Sequence, residues 1–158
     1  MQSKLLSRRD LEFVLYELLN VESLTRRPRF AEHSRETFDA ALETAAQIAE
    51  EKFAPHNRKA DLNEPRFEGG RVHIIPEVKQ ALDAFRDAGF IAAAQDFELG
   101  GMQLPWTVAQ ACFAWFNAAN VSTAAYPFLT IANANMIRSF GSQAQKSRYL
   151  PADRKSVV

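Results

Sequence analysis

The stretch from Val108 to Ile137 is rich in apolar residues and constrains the fold more than any other feature of the chain. Its apolar side chains cover more than one helical face, which is typical of helices buried inside a protein. Five amides interrupt any run long enough to cross a bilayer: Gln110, Asn117, Asn120, Asn133 and Asn135. The sequence therefore predicts two helices, about Trp106–Asn117 and Ser122–Phe140, in the middle of a helical bundle.

Three further segments carry apolar residues at helical spacing. Asp10 is predicted to cap a short first helix, and Ser34 a longer one that Pro55 bends or ends. Pro76 suits the first turn of another helix, which stops near Gly89. The predicted inward residues of these helices are, in order, Leu11, Val14, Leu15, Leu18 and Leu19; Phe38, Ala41, Leu42, Ala45, Ile48, Ala49 and Phe53; and Val78, Ala81, Leu82 and Phe85.

The remaining segments are shorter. Thr25 to His33 is predicted to be a turn or a short helix, and Asn57 to Arg71 a loop that leads into a brief extended piece. Ser142 and Gln145 have the spacing of a capping box, which predicts a last helix over residues 143–149. Together the segments predict an all-α bundle of five or six helices with short connections.

Charge and cysteine content exclude several classes of protein. Nineteen Lys and Arg balance nineteen Asp and Glu among the 158 residues, so no basic field for nucleic acid is expected. The single cysteine, Cys112, has no partner for an internal disulfide. We therefore expect a protein of the reducing cytoplasm, with no membrane span.

No residue pattern by itself predicts catalysis. The three histidines, His33, His56 and His73, lie in different segments and are interpreted as surface residues. Cys112 lies among apolar residues, which favours an inert buried thiol over a nucleophile. The pair Gly100 and Gly101 lacks the rest of a phosphate-binding loop and is interpreted as a tight turn. The nearby carboxylates, Asp96 and Glu98, are interpreted as solvated or capping groups.

Two blocks of residues between Gly89 and Pro151 each show a characteristic order of residue types. In the first, acidic and aromatic residues precede a Gly-Gly turn that enters a long helix; in the second, a glycine and a small capping residue precede Gln-Lys and Tyr-Leu-Pro. The first block consists of Asp96, Phe97, Glu98, Leu99, Gly100, Gly101, Leu104 and Pro105; the second consists of Gly141, Ser142, Gln145, Lys146, Tyr149, Leu150 and Pro151. Together the two blocks resemble the amino-terminal domain of acyl-CoA dehydrogenases.

The resemblance implies an enzyme with FAD as cofactor that removes a proton and a hydride from adjacent carbons of an acyl-CoA thioester. The electrons would pass to a separate acceptor, and such enzymes are usually homo-oligomers. In the family the flavin lies between a middle β domain and a carboxy-terminal helical domain, and a glutamate there is the catalytic base. We therefore expect no catalytic, flavin-binding or metal-binding residue in this chain.

One wall of the acyl pocket comes from the amino-terminal domain in this family. The resemblance implies that Trp106, Gln110 and Phe113 lie near that wall. The alternative is structural: Trp106 and Phe113 would belong to the bundle core, and Gln110 would be a surface amide.

The resemblance also divides the chain. Residues 1–33 look like the leader of the subgroup that includes methylthiopropanoyl-CoA dehydrogenases, and residues 34–152 like the helical domain. The tail 153–158 departs from the family and matches a translated sequencing adapter, which predicts a truncated gene and a fragment inactive alone. A non-catalytic helical interaction module is the alternative function, and a DNA-binding relative ranks last because the charges balance. A severed domain is expected to expose an apolar patch, whereas an adaptor is expected to cover one.

Overall fold

The computed structural model describes residues 3–153, so the predicted tail 153–158 lies outside the described residues apart from Asp153. Within this range six α-helices form a bundle with one small hairpin beside it, which confirms the predicted all-α class. The elements are α1 (Arg8–Glu12), α2 (Arg35–Ile48), α3 (Asn57–Leu62), β1 (Arg66–Glu68), β2 (Arg71–His73), α4 (Pro76–Asp87), α5 (Trp106–Phe140) and α6 (Gln143–Asp153).

The first helix begins at a different cap from the predicted one. Ser7 Oγ accepts a hydrogen bond from the backbone N–H of Asp10 at 3.2 Å, so Ser7 is the cap and the assignment to Asp10 was wrong. After α1 the chain continues as a π-helical turn over Phe13–Leu18. Because a π-helical turn holds more residues than an α-helical turn, the apolar residues predicted to face inward do not all face the core. Leu15 is buried, whereas Leu18 is 66 % exposed.

Residues 3–33 join the core through buried Leu15 and Val21, and they also contact α2 through polar side chains. The Tyr16 hydroxyl donates to Asp39 Oδ1 at 2.6 Å, and the Arg35 guanidinium lies 4.2 Å from the Tyr16 ring centroid. Burial, together with the hydrogen bond to Asp39, raises the pKa of Tyr16 well above its usual value. Farther along, 3-10 helices at Val21–Arg26 and Pro28–Phe30 confirm the short helix predicted between Thr25 and His33.

Helix α2 starts at the predicted cap. Ser34 Oγ accepts from the Thr37 N–H at 3.4 Å, and Thr37 Oγ1 accepts from the Ser34 N–H at 2.9 Å. This reciprocal pair satisfies two amides that the first helical turn leaves free. The helix passes into a π-helical turn at Ala49–Phe53 and a 3-10 turn at Ala54–His56, as expected of a chain that meets Pro55. Its buried residues include Phe38, Ala41, Leu42, Ala45, Ala49 and Phe53.

The loop predicted for residues 57–71 is wrong at its start, where α3 forms. This helix is polar and exposed apart from half-buried Ala60, so it has no apolar stripe that could have indicated it. Beyond it, β1 and β2 pair antiparallel with Phe67 opposite Val72. Gly69 and Gly70 connect the strands with φ of 59° and 77°, values that a two-residue hairpin turn requires and glycine adopts without strain.

Helix α4 agrees with its prediction, and α6 begins at the predicted residue but ends at Asp153, beyond the predicted end at Tyr149. Helix α4 begins at Pro76 and buries the four predicted residues, and Gly89 follows it with φ of 82°. At the start of α6, Ser142 N–H donates to Gln145 Oε1 at 2.8 Å, and Gln145 N–H donates to Ser142 Oγ at 3.3 Å. The predicted capping box is therefore present.

Helix α5 is two helices joined at a break, as the sequence predicted. Asn120 interrupts the helical backbone with φ of −165° and ψ of 90°, and its side chain is buried. Its Oδ1 accepts from Ser122 Oγ at 2.9 Å and from the Thr123 N–H at 3.1 Å, while Nδ2 donates to the Phe53 carbonyl at 3.3 Å. Although α5 is long, none of the helices within residues 3–153 is apolar enough over a sufficient length to cross a membrane.

A buried histidine stands beside this break. His56 is 3 % exposed, so its interpretation as a surface residue was wrong. Its Nδ1 lies 2.8 Å from the Lys52 carbonyl oxygen and its Nε2 lies 2.9 Å from Thr123 Oγ1. Both ring nitrogens therefore have partners, and the histidine joins the end of the α2 segment to the second half of α5.

Phenylalanine rings fill the centre of the bundle. The Phe116 ring centroid lies 5.0 Å from that of Phe53, 4.8 Å from that of Phe85 and 5.3 Å from that of Phe90. Cys112 lies one turn before Phe116 and is fully buried, and this burial raises the pKa of its thiol to about 12. The first half of α5 thus contributes Phe116 and Cys112 to the centre of the hydrophobic core.

We expect Asn120→Ala to lower the free energy of unfolding by about 2–3 kcal/mol, because it leaves the buried carbonyl of Phe53 without this donor and removes the acceptor of the Thr123 amide. Urea unfolding followed by circular dichroism measures the change. Asn117→Ala, at an exposed position one turn earlier, is the control and is expected to stay within about 0.5 kcal/mol of the wild type. Equal effects of the two substitutions would contradict the proposed importance of the break.

We also expect the Cys112 thiol to resist a maleimide at neutral pH in the folded chain and to react once urea unfolds it. The buried thiol remains protonated, and the thiolate is the reactive form. A Gln80→Cys variant, at an exposed position of α4, supplies a second thiol that is expected to react at once. Complete labelling of the folded wild type at the rate of the Gln80→Cys thiol would show that Cys112 is accessible.

Candidate functional site

Trp106, Gln110 and Phe113 recur at the spacing of one helical face at the start of α5. All three line one cleft between the first half of α5, the loop that precedes it and the second half of α5. The cleft is small: its free volume of about 30 Å³ has room for about two water molecules. The structure thus brings the three predicted residues together around a common space.

The three residues differ in how far they enter the protein. Trp106 is 56 % exposed at the mouth of the cleft, and Gln110 is also exposed. Phe113 is half-buried: its ring lies edge-on to Phe85 at 6.2 Å between centroids and also 6.2 Å from Phe128. The alternative that assigned Trp106 to the core was therefore wrong, whereas Phe113 packs against the core and faces the cleft.

The loop before α5 is fixed by backbone hydrogen bonds. Gly101 N–H donates to the Asp96 carbonyl at 3.0 Å, Gln103 N–H to the Gln95 carbonyl at 2.9 Å, and Leu104 N–H to the Ala93 carbonyl at 2.9 Å. A Cβ on Gly101 would overlap the Gln95 carbonyl, so only glycine fits there. The tight turn predicted at Gly100 and Gly101 is confirmed, with φ of 73° at Gly100.

This loop also positions two acidic residues and one amide. Asp96 forms an ion pair with Arg29, and Glu98 is exposed, so neither carboxylate enters the cleft. The Gln95 side chain, by contrast, is only 6 % exposed and lines the cleft. Its Nε2 donates to Asn135 Oδ1 of the second half of α5 at 2.9 Å.

Gln95 is a residue that the sequence analysis missed. It stands at the end of the run Ala92, Ala93 and Ala94, and a polar residue after a small apolar run is more often exposed. Among residues 3–153 its Oε1 has no hydrogen-bond partner although the atom is buried. Glu77 Oε2 and Trp115 Nε1 are likewise buried without a hydrogen-bond partner among these residues.

The described residues do not fit a flavin. Two other cavities are large, and the wider, between α1 and α2, holds about 1330 Å³ of empty space. Its lining has five carboxylates, Glu12, Asp39, Glu43, Glu50 and Glu51, and only two cationic residues, Arg8 and Arg9. This excess of negative charge would repel the diphosphate of FAD. The other, of about 880 Å³, is lined by Asp61 and Glu64 and by no cation.

Metal binding has no better support. Across residues 3–153, no three His, Cys, Asp or Glu side chains come close enough together to hold a metal ion. The cleft itself is lined by aromatic, aliphatic and amide side chains without a charged group. Its lining is therefore uncharged and largely apolar.

The sequence of this chain matches a family of known proteins. The acyl-CoA dehydrogenase N-terminal domain matches residues 35–153. A relative, the 3-methylmercaptopropionyl-CoA dehydrogenase of Ruegeria pomeroyi, is 33 % identical over 143 residues. The match covers 90 % of this chain but only 24 % of that relative, so the chain spans about a quarter of its length. The chain therefore belongs to the acyl-CoA dehydrogenase family, whose N-terminal helical domain it contains.

Proposed function

We propose that this chain supplies the N-terminal helical domain of an FAD-dependent acyl-CoA dehydrogenase, an oxidoreductase that acts on the CH–CH group of acyl-CoA thioesters. The observation that carries the proposal is the family match over residues 35–153. The uncharged cleft at Trp106, Gln110 and Phe113 supports it, because an acyl chain needs an apolar wall. In this proposal the leader is 1–33, the helical domain 34–152, and 153–158 a tail foreign to the family.

In this proposal, Phe113 and Trp106 bind and orient the acyl chain. Phe113, held against Phe85, offers a rigid ring to the acyl chain, while Trp106 covers the mouth and keeps water out. A flavin held by the other domains of the proposed enzyme would accept the hydride. The domain alone, which contains neither the catalytic base nor a flavin site in this proposal, is inactive.

An exposed row of large apolar residues on α5 supports the view that the domain packs against a larger protein. We call it the α5 stripe; it consists of Val121, Phe128, Leu129, Met136 and Phe140, which are 55–87 % exposed. These residues follow one another at helical spacing and so share a face. An independent adaptor would bury such a face within itself, which makes the alternative interaction module the weaker proposal.

The remaining properties follow from the same proposal. The parent enzyme takes an acyl-CoA substrate, passes electrons to a separate acceptor and assembles as a homo-oligomer in the cytoplasm. Nucleic acid is not a partner, because the charges of the chain balance.

The proposal predicts a difference between two forms of the protein. The 158-residue chain is expected to be colourless and inactive, and a form extended through the β and carboxy-terminal domains of the family to be yellow and active. Flavin absorbance and acyl-CoA dehydrogenation with an artificial electron acceptor measure both properties. Flavin and turnover in the short chain would contradict the proposal; an extended form that binds no flavin and stays inactive would favour the interaction module.

A second prediction concerns the acyl wall. In the extended enzyme, Phe113→Ala is expected to open space beside Phe85 and to shift the preference, measured as kcat/KM over a series of acyl-CoAs, toward longer chains. Phe67→Ala on the exposed hairpin is the control, since Phe67 is 74 % exposed and does not line the cleft. An unchanged chain-length preference in the Phe113→Ala enzyme would remove Phe113 from the acyl pocket.

A further inference from the structure

We propose that the cavity beside α3 binds a small aliphatic amine, with the ammonium group at Asp61 and Glu64 and the carbon chain along an apolar wall. We call it the α3 cavity. Its walls come from α3 and the segment after it, from the connection between β2 and α4, and from the second half of α5. The cavity is separate from the cleft at Trp106, so the inference does not depend on the proposed enzyme activity.

The size of the α3 cavity suits a small molecule. Its empty space of about 880 Å³, which includes open solvent, contains a free volume of about 340 Å³, compared with about 30 Å³ in the cleft. Cavities that hold small ligands have volumes of about 300–1,000 Å³. A specific protein partner instead needs an interface of about 1,000 Å² or more. The dimensions therefore favour a small molecule over a protein segment.

The apolar wall suits an aliphatic chain. It is formed by Ile74, Ile75, Val78, Ala125 and Leu129. Val78 is buried, whereas Leu129 is 69 % exposed, so part of this wall faces solvent. A carbon chain that covers the exposed part would remove apolar surface from water, which favours binding.

Two accessible carboxylates supply the polar part of the site. Asp61 and Glu64 are exposed, so a ligand in the cavity can reach both. Within residues 3–153 neither lies within ion-pairing distance of a cationic side chain. The neighbouring Lys59 is paired with Glu77 instead. An ammonium group would therefore gain two partners without breaking an existing ion pair.

The other classes of ligand fit less well. A carboxylate would be repelled by Asp61 and Glu64, because no cationic residue lines the α3 cavity. An alcohol lacks the charge that these two groups attract. A metal ion would leave the apolar wall unused, and across residues 3–153 no three metal-binding side chains come together. The ring of Tyr126, also in the lining, adds a surface of the kind that attracts cations.

The test titrates the 158-residue chain with butylammonium, hexylammonium and octylammonium at constant ionic strength. NMR follows binding through the ring signals of Tyr126, which the spectrum of Tyr126→Phe identifies. We expect the affinity to rise by about fourfold for each added methylene that the wall covers. Hexylammonium is expected to bind about tenfold more tightly than 1-hexanol, which has the same chain without the charge, and hexanoate is expected not to bind.

Two variants and one control connect binding to this cavity. The double variant Asp61→Asn, Glu64→Gln is expected to weaken hexylammonium binding about tenfold. Glu32→Gln, Glu98→Gln makes the same change of net charge at two exposed positions outside the lining and is expected to keep the affinity. Ala125→Phe keeps both carboxylates but fills space at an exposed position of the wall, so it is expected to abolish binding. Circular dichroism verifies that each variant is folded.

The outcomes are decisive in both directions. Binding of hexylammonium that shifts the Tyr126 signals, and that the Asp61 and Glu64 substitutions weaken while the control keeps it, supports the proposal. No binding, equally tight binding of 1-hexanol, or an equal loss in the control variant would overturn it. Nα-acetyl-lysine N-methylamide tests a protein side chain as the source of the ammonium group, and tighter binding of this compound than of hexylammonium would overturn the assignment to a small amine.

Discussion

The break in α5 at Asn120 determines where both halves of that helix point, and the rest of the bundle depends on it. A hydrogen bond from Asn120 to the Phe53 carbonyl and a second one between His56 and Thr123 hold the end of the α2 segment against the break. The first half can then place Phe116 among the core rings, and the second half turns to present the α5 stripe. A straight helix of the same length could not satisfy both contacts, because it has one direction only.

The cleft is a consequence of this arrangement. The first half of α5 contributes Trp106 and Phe113, and the second half returns Ile131 and Asn135 to the opposite side. The loop before α5 closes the space with Gln95, and the close packing of Gly101 fixes that loop. An uncharged cleft therefore arises from one broken helix and the loop that enters it.

Much of this fold could be predicted because its signals are local. Ser34 with Thr37, Pro76 with Gly89, and Ser142 with Gln145 each lie a few residues from the helix end that they determine. The buried role of His56 could not be predicted, because its partner Thr123 lies 67 residues away in the sequence. The same holds for Gln95, which is 40 residues from Asn135. Trp106, Gln110 and Phe113 were predicted from the family resemblance; the structure places them around one cleft, and their role in an acyl pocket stays a prediction.

The most direct test is the structure of the extended, flavin-loaded enzyme with a bound acyl-CoA. The account predicts that the acyl chain lies in the cleft, within about 4.5 Å of the Phe113 ring and of Trp106, the distance of apolar contact. It also predicts that the α5 stripe is covered by the remainder of the protein. An acyl chain bound elsewhere, with Trp106 in solvent and the α5 stripe still exposed, would contradict the assignment of this domain as a wall of the acyl pocket.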